Sequence, residues 1–208
     1  MMTPMQYALI AIGAGSGGLG RRGLRCLRNS PPPRGAAFTN DMQKIEMPPS
    51  TVKIRPATAA DLDAVNRVIE AAVMTWKLPE RVKRLSLPSY RYTMQDLVHL
   101  DMVLAEDAQH GIIGIAAWEP ADAGDTPAGY RALLLHGIYV HPTYHHQGIG
   151  HELFVVAERA VRKHRYDGLL VKAQGDACGF FISQGMYRLA VEDPARHYAH
   201  RLWKRPAE

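Results

Sequence analysis

The sequence predicts an α+β fold: a mixed, largely antiparallel sheet flanked by helices. Three observations carry that expectation. Short apolar runs of strand length alternate with turn residues between about residues 100 and 140. Two segments, Leu62 to Val73 and Leu153 to Val161, repeat apolar residues at helical spacing. Between the last of those strands and the second helix lies a glycine turn, from His145 to Gly150.

Val52 to Arg55 is expected as a short strand and Thr58 to Asp61 as a capping-box-like helix start. Leu62, Val65, Ile69, Ala72 and Val73 then trace one face of an amphipathic helix. The polar stretch holding Pro79, Pro88, Tyr90 and Tyr92 is expected to contain a second helix. Met102 to Ala105 and Ile112 to Trp118 read as two strands joined by a turn at Asp107 to Gly111. Leu133 to Val140 is the next strand. After Gly150, Leu153, Val156, Ala157, Ala160 and Val161 share a helix face from which Glu152 and Glu158 are excluded. That helix closes on Arg162, Lys163, His164 and Arg165, cations where its dipole favours them. Leu169 to Ala173 reads as a strand and Asp176 to Gln184 as a short helix. Two last strands fall near Met186 to Val191 and His197 to Trp203.

A chain of 208 residues is long enough for one well-buried domain with an appendage. Residues 1–50 hold six basic and two acidic side chains, whereas residues 51–208 hold nineteen and eighteen. The basic excess belongs to the N-terminal segment, which argues against a nucleic-acid partner for the folded part. Cys26 and Cys178 make neither a disulfide framework nor a metal-site spacing, which suits a reducing cytoplasm. No apolar run approaches the ~20 residues that span a bilayer. The N-terminal apolar stretch lacks the basic lead and small-residue cleavage site of an export signal. A cytoplasmic protein with no membrane partner is expected; homodimerisation stays open.

Residues 1–50 contain Tyr7-Ala-Leu-Ile-Ala-Ile-Gly13-Ala-Gly15-Ser-Gly-Gly18, the local form of a dinucleotide-binding turn. The context such a turn needs is missing. The segment after it is cut by Pro31-Pro-Pro33, with no second strand and no acidic residue at the required distance. Residues 1–50 are therefore expected to be a disordered extension with an incomplete Gly-rich motif, and residues 51–208 the domain proper. A translation start at Met42 or Met47 would account for the extension.

The run from His136 to His151 joins a strand to a helix through a turn containing Gly148 and Gly150. Backbone N–H groups and the positive end of a helix dipole then converge on one point, which suits a diphosphate. The run Ile138-Tyr-Val-His-Pro142, followed by His-His-Gln-Gly-Ile-Gly150, resembles the acyl-CoA signature of the GNAT acetyltransferase superfamily. Ala177-Cys-Gly-Phe-Phe181 with Gly185-Met-Tyr resembles a second family segment, and Ile54-Arg-Pro-Ala-Thr58 with Ala60-Asp-Leu62 a third. The resemblance covers about residues 52–204 and implies the sheet splayed between its fourth and fifth strands.

That resemblance implies acetyl-CoA as co-substrate, with no metal and no flavin. Backbone groups of Ile138, Tyr139 and Val140 would bond the pantetheine arm. His145, His146, Gln147, Gly148, Ile149, Gly150 and His151 would hold the diphosphate, and Gln174 and Phe181 would complete the cofactor site. The family places Gln or Arg where His145 stands, so acyl-CoA affinity is expected to tighten as pH drops through ~6.5. His141, His145, His146 and His151 invite a metal reading, but a turn committed to a phosphate and lacking carboxylate or thiolate is a poor ligand set.

For the general base the sequence offers His136, with Glu119 as runner-up. The Leu-His-Gly-Ile-Tyr-Val-His run resembles that of arylalkylamine acetyltransferases, which carry a histidine here facing the reaction centre. Strict strand alternation puts the His136 side chain on the face opposite Tyr139. The family commonly places a tyrosine acid where this chain has Phe181; Tyr139, Tyr187 and Tyr198 are substitutes. Trp76, Tyr90, Tyr92 and Trp118 are candidates for lining an acceptor pocket. The function expected is an acyl-CoA-dependent N-acyltransferase acting on a small amine or on an amino-terminal or lysine amine of a protein. Two rivals are a catalytically silent acyl-CoA-binding module and, resting on residues 7–20 alone, an oxidoreductase fragment.

Overall fold

β4 (Ala132–Val140) is apolar at nearly every position because both its faces are covered, and the rest of the fold is arranged around it. The structure is a computed structural model that describes residues 52–194 and 197–206. The N-terminal extension and its Gly-rich motif lie outside the described residues.

The sheet comprises β1 (Lys53–Pro56), β2 (Asp101–Asp107), β3 (Gly111–Pro120), β4, β5 (Gly168–Lys172), β6 (Tyr187–Arg188) and β7 (Arg201–Lys204). Its order is β1-β2-β3-β4-β5-β7-β6. Every neighbouring pair is antiparallel except β4 with β5. That parallel pairing starts at Ala132–Gly168 and stops at Leu135–Val171, so beyond Leu135 the two strands part. The expected splay is there.

α1 (Leu62–Met74) buries Val65, Val68, Ile69, Ala72 and Val73 against Leu104, Ile115, Ala117 and Tyr139 on one sheet face. α4 (Ile149–Lys163) buries Leu153, Phe154, Ala157 and Val161 against Leu133, Leu135, Ile138 and Val140 on the other. The polar stretch contains α2 (Glu80–Ser86) and the short α3 (Asp96–His99), and α5 (Cys178–Ser183) follows β5. The terminal strands are shorter than the sequence suggests: β6 pairs through two residues only.

Arg55 locks β1 and β2 to the entry of α1, bridging Asp61 at 2.8 Å and Glu106 at 2.7 Å. Asp61 also accepts from the Thr58 backbone and hydroxyl, the capping arrangement read from the sequence. The Arg55 guanidinium, with the Thr58 bonds adding, holds the Asp61 carboxyl well below the usual range. Among the described residues no helix is long and apolar enough to cross a membrane.

Candidate active site

The alternation of β4 reverses part-way along. Leu133 and Leu135 face α4, and so do Ile138 and Val140. The extra residue is His136: Ala117 pairs with Gly137 and Trp118 with Leu135, leaving His136 without a counterpart on β3. A bulge changes which face each later side chain takes. His136 and Tyr139 consequently line the same hollow. The expectation that they lie on opposite faces is corrected here, because strict alternation does not survive the bulge.

The bulge also brings the two candidate bases together. His136 Nε2 lies 2.5 Å from Glu119 Oε1, with the imidazole 12% and the carboxylate 31% exposed. A carboxylate only accepts hydrogen bonds, so Glu119 puts the imidazole proton on Nε2 and leaves Nδ1 as the basic nitrogen.

Past the bulge β4 has one open edge. His141 N donates to Ile113 O on β3, and alternation then turns the Tyr139 main chain toward β3 as well. Ile138 and Val140 present their N–H and C=O groups to the split. This corrects the expectation for the Tyr139 backbone, whose groups are spent within the sheet.

A short 3₁₀ turn at Pro142–Tyr144 leads from β4 into the helix. His146, with φ 62°, and Gly148, with φ 84°, both take the left-handed conformation that reverses the chain into α4. The first helical bond runs from Glu152 N to Gly148 O, so the amides of Ile149, Gly150 and His151 have no acceptor within the helix. They border a hollow of about 130 Å³ lined also by Tyr144, His145 and Phe180. Gln147 Nε2 donates to Thr143 O, and His151 Nδ1 meets Gln184 Oε1 at 2.6 Å.

His145 turns back toward the sheet, with Nε2 2.9 Å from Val140 O. Burial lowers its pKa from 6.5; the Val140 bond opposes this, and His146 and His141 add to it. The expected tightening of acyl-CoA affinity through ~6.5 is therefore moved to lower pH. Gln174 starts the 3₁₀ turn before α5, and its carbonyl accepts from Cys178 Sγ. Phe181 is fully buried against Phe154 and Phe180, so its ring offers no surface to a ligand. Phe180 borders the phosphate-sized hollow in its place. No set of three His, Cys, Asp or Glu side chains able to hold a metal ion occurs among the described residues.

Two hollows flank the His136–Glu119 pair. One, of about 170 Å³, is walled by Tyr90, Tyr92, Asp96 and Tyr139. The other, of about 330 Å³, is walled by Glu119, Asp122, Asp125 and Lys172.

Residues 99–196 match the family model described as the acetyltransferase (GNAT) domain. The chain carries a GNAT domain. Solved structures share its fold. The PaiA N-acetyltransferase of Thermoplasma acidophilum, in complex with coenzyme A, aligns at TM-score 0.58 and 18% identity, over 74% of this chain and 99% of its own. A GCN5-related N-acetyltransferase of Ralstonia eutropha JMP134 aligns at TM-score 0.56 and 16% identity, over 68% and 95%. A GNAT acetyltransferase of Brucella melitensis, in complex with acetyl-CoA, aligns at TM-score 0.51 and 17% identity, over 76% and 89%. No curated protein sequence matches the chain.

Tyr90 and Tyr92 line a hollow, as the sequence suggested, whereas Trp76 and Trp118 are core residues. Lys172, paired with Asp125 at 2.6 Å, was not singled out from the sequence. It is the residue after Val171, where β4 and β5 separate, and no local pattern marks that point.

Proposed function

We propose that this chain transfers an acetyl or short acyl group from acyl-CoA to a primary amine. The acceptor is a small molecule or an amino group of a protein. The observation that carries the reading is a hydrogen-bonded base at the point where β4 opens, with unpartnered helix amides at the other end of the same strand. Ile138 and Val140 groups bond the pantetheine arm along the open edge, and the amides of Gly148 to His151 take the diphosphate. His145 acts by fixing the Val140 carbonyl, and His146 and Gln147 shape the turn.

His136 Nδ1 takes a proton from the ammonium, and Glu119 stabilises the imidazolium that results. The neutral amine attacks the thioester carbonyl, forming the C–N bond. Collapse breaks the C–S bond, and the departing thiolate collects the second amine proton. A thiolate with a pKa of ~8.5 is a fair leaving group, so the chemistry proceeds without an acid at Phe181. No metal or flavin enters this scheme.

The test is thiol release from acetyl-CoA against a panel of primary amines, for the wild type and His136→Ala. Turnover that disappears in the variant while coenzyme A affinity stays supports the reading. The second reading, a silent acyl-CoA-binding module, draws on Phe181, which has no proton to give; tight acetyl-CoA binding with no turnover on any amine would favour it.

A further inference from the structure

Of the two hollows beside His136, the larger one is already satisfied. Asp125 is paired with Lys172, Asp122 accepts from Gly124 N and Glu119 is held by His136. A ligand entering there would have to displace internal partners. The smaller hollow differs. Tyr139 is 2% exposed and Tyr92 9%, both border it, and neither phenol hydroxyl has a hydrogen-bond partner among the described residues. Both hydroxyls open into the cavity and are not sealed in the core, so a ligand seated there meets two phenols with no internal partner to displace.

The surroundings define what that ligand carries. Burial pushes both phenols well above their ordinary pKa, so each is a neutral O–H able to donate and to accept. Asp96 keeps Oδ2 on the Thr93 amide and hydroxyl and adds a negative charge at the wall, while Arg91, at the same wall, is paired with Glu70 at 2.7 Å. His136, which leaves Nδ1 uncommitted, borders the same space. A cation presenting N–H groups and a second, neutral polar group satisfies all of these at once. An aryl or alkyl chain leaves the phenols unpaired.

We propose that this hollow is the acceptor pocket and that it selects a compact primary amine bearing a hydroxyl or carbonyl group, read by Tyr92 and Tyr139. The inference rests on the acyl-transfer reading above. It separates this chain from the arylalkylamine preference that the Leu-His-Gly-Ile-Tyr-Val-His run suggests. The cavity of about 170 Å³ favours a short acceptor.

Ethanolamine and propylamine test it, being matched in size and differing by a hydroxyl in place of a methyl. Their binding is measured by calorimetry on the protein saturated with coenzyme A, with thiol release from acetyl-CoA measured in parallel. The wild type is expected to bind ethanolamine at least about tenfold more tightly, because a site built to bond a hydroxyl rejects the analogue lacking it. Tyr139→Phe and Tyr92→Phe are expected to shrink that ratio toward one while coenzyme A affinity is unchanged. A ratio near one in the wild type, or one that both variants preserve, overturns the inference. Selective binding that depends on both tyrosines but gives no thiol release upholds the pocket and removes the transferase reading instead.

Discussion

His136 Nε2 and Glu119 Oε1 are 2.5 Å apart across a bulge that leaves His136 unpaired on β3. Two residues that the sequence presents as rival bases therefore form one unit. His136→Ala is expected to lower kcat between about 100- and 10,000-fold, the range for a lost general base. Glu119→Gln keeps an oxygen acceptor but loses the charge that steadies the imidazolium, and its loss is on the order of tenfold. Steady-state kinetics at saturating acetyl-CoA read both. Equal rates in the wild type and His136→Ala would move the base elsewhere.

Tyr139 reaches its hollow by lying across Gly137. A Cβ at Gly137 would sit 2.5 Å from Tyr139 Cε2. Gly137→Ala is therefore expected to push the ring aside, lowering stability by about 1–3 kcal/mol and raising the amine KM more than the acetyl-CoA KM. Thermal melts and a two-substrate kinetic matrix give both numbers.

Gly148 occupies the left-handed region at φ 84°, and a Cβ there meets nothing within 4 Å. Space is available, so the penalty in Gly148→Ala comes from the backbone alone, about 1–2 kcal/mol of stability. Strain of that size in the amide cradle weakens coenzyme A binding by about tenfold. A variant with wild-type affinity would show that the turn does not hold the diphosphate.

His145 is half-buried, with its pKa lowered from 6.5 chiefly by desolvation. The unfolded chain then binds a proton at a higher pH than the folded one, so stability rises with pH through that interval and declines as pH falls below 6.5. His145→Gln is expected to flatten this part of the stability profile, measured by denaturant titration between pH 5 and 8. A steeper profile in the variant would reverse the sign of the assignment.

Asp61, held by Arg55, acts in the same direction in a lower pH window. The Asp61 pKa is depressed from 3.8, so its contribution is present at neutral pH and is lost as pH falls below that value. Asp61→Asn is expected to lower neutral-pH stability by about 1.5–3 kcal/mol, the worth of hydrogen bonds to a charged partner. At pH 2 the gap between wild type and variant should narrow.

The strand, turn and helix from Ile138 to Lys163 were legible because each is a local pattern: an apolar run, glycines where the chain must reverse, and a 3.6-residue period. The capping of Asp61 by Thr58 was legible for the same reason. The bulge at His136 was not. β4 is buried on both faces, so its apolar run carries no alternation from which a change of phase could be read. That one silent residue decides which side chains meet. It joins His136 to Glu119, seventeen residues away, and puts Tyr139 in a hollow with Tyr92 from the stretch between α2 and α3. Position 145 shows the other limit. The identity of His145 suggested a phosphate contact, but its ring bonds the Val140 carbonyl, a choice made by backbone geometry.

The grip of the 145–151 turn on the diphosphate is tested most directly by following backbone amide resonances during a coenzyme A titration. The amides of Gly148, Ile149, Gly150 and His151 should shift together with those of Ile138 and Val140, saturating at one dissociation constant, while the amides of β1 stay still. A saturated complex in which the turn amides do not move, or no binding at millimolar coenzyme A, would contradict the account.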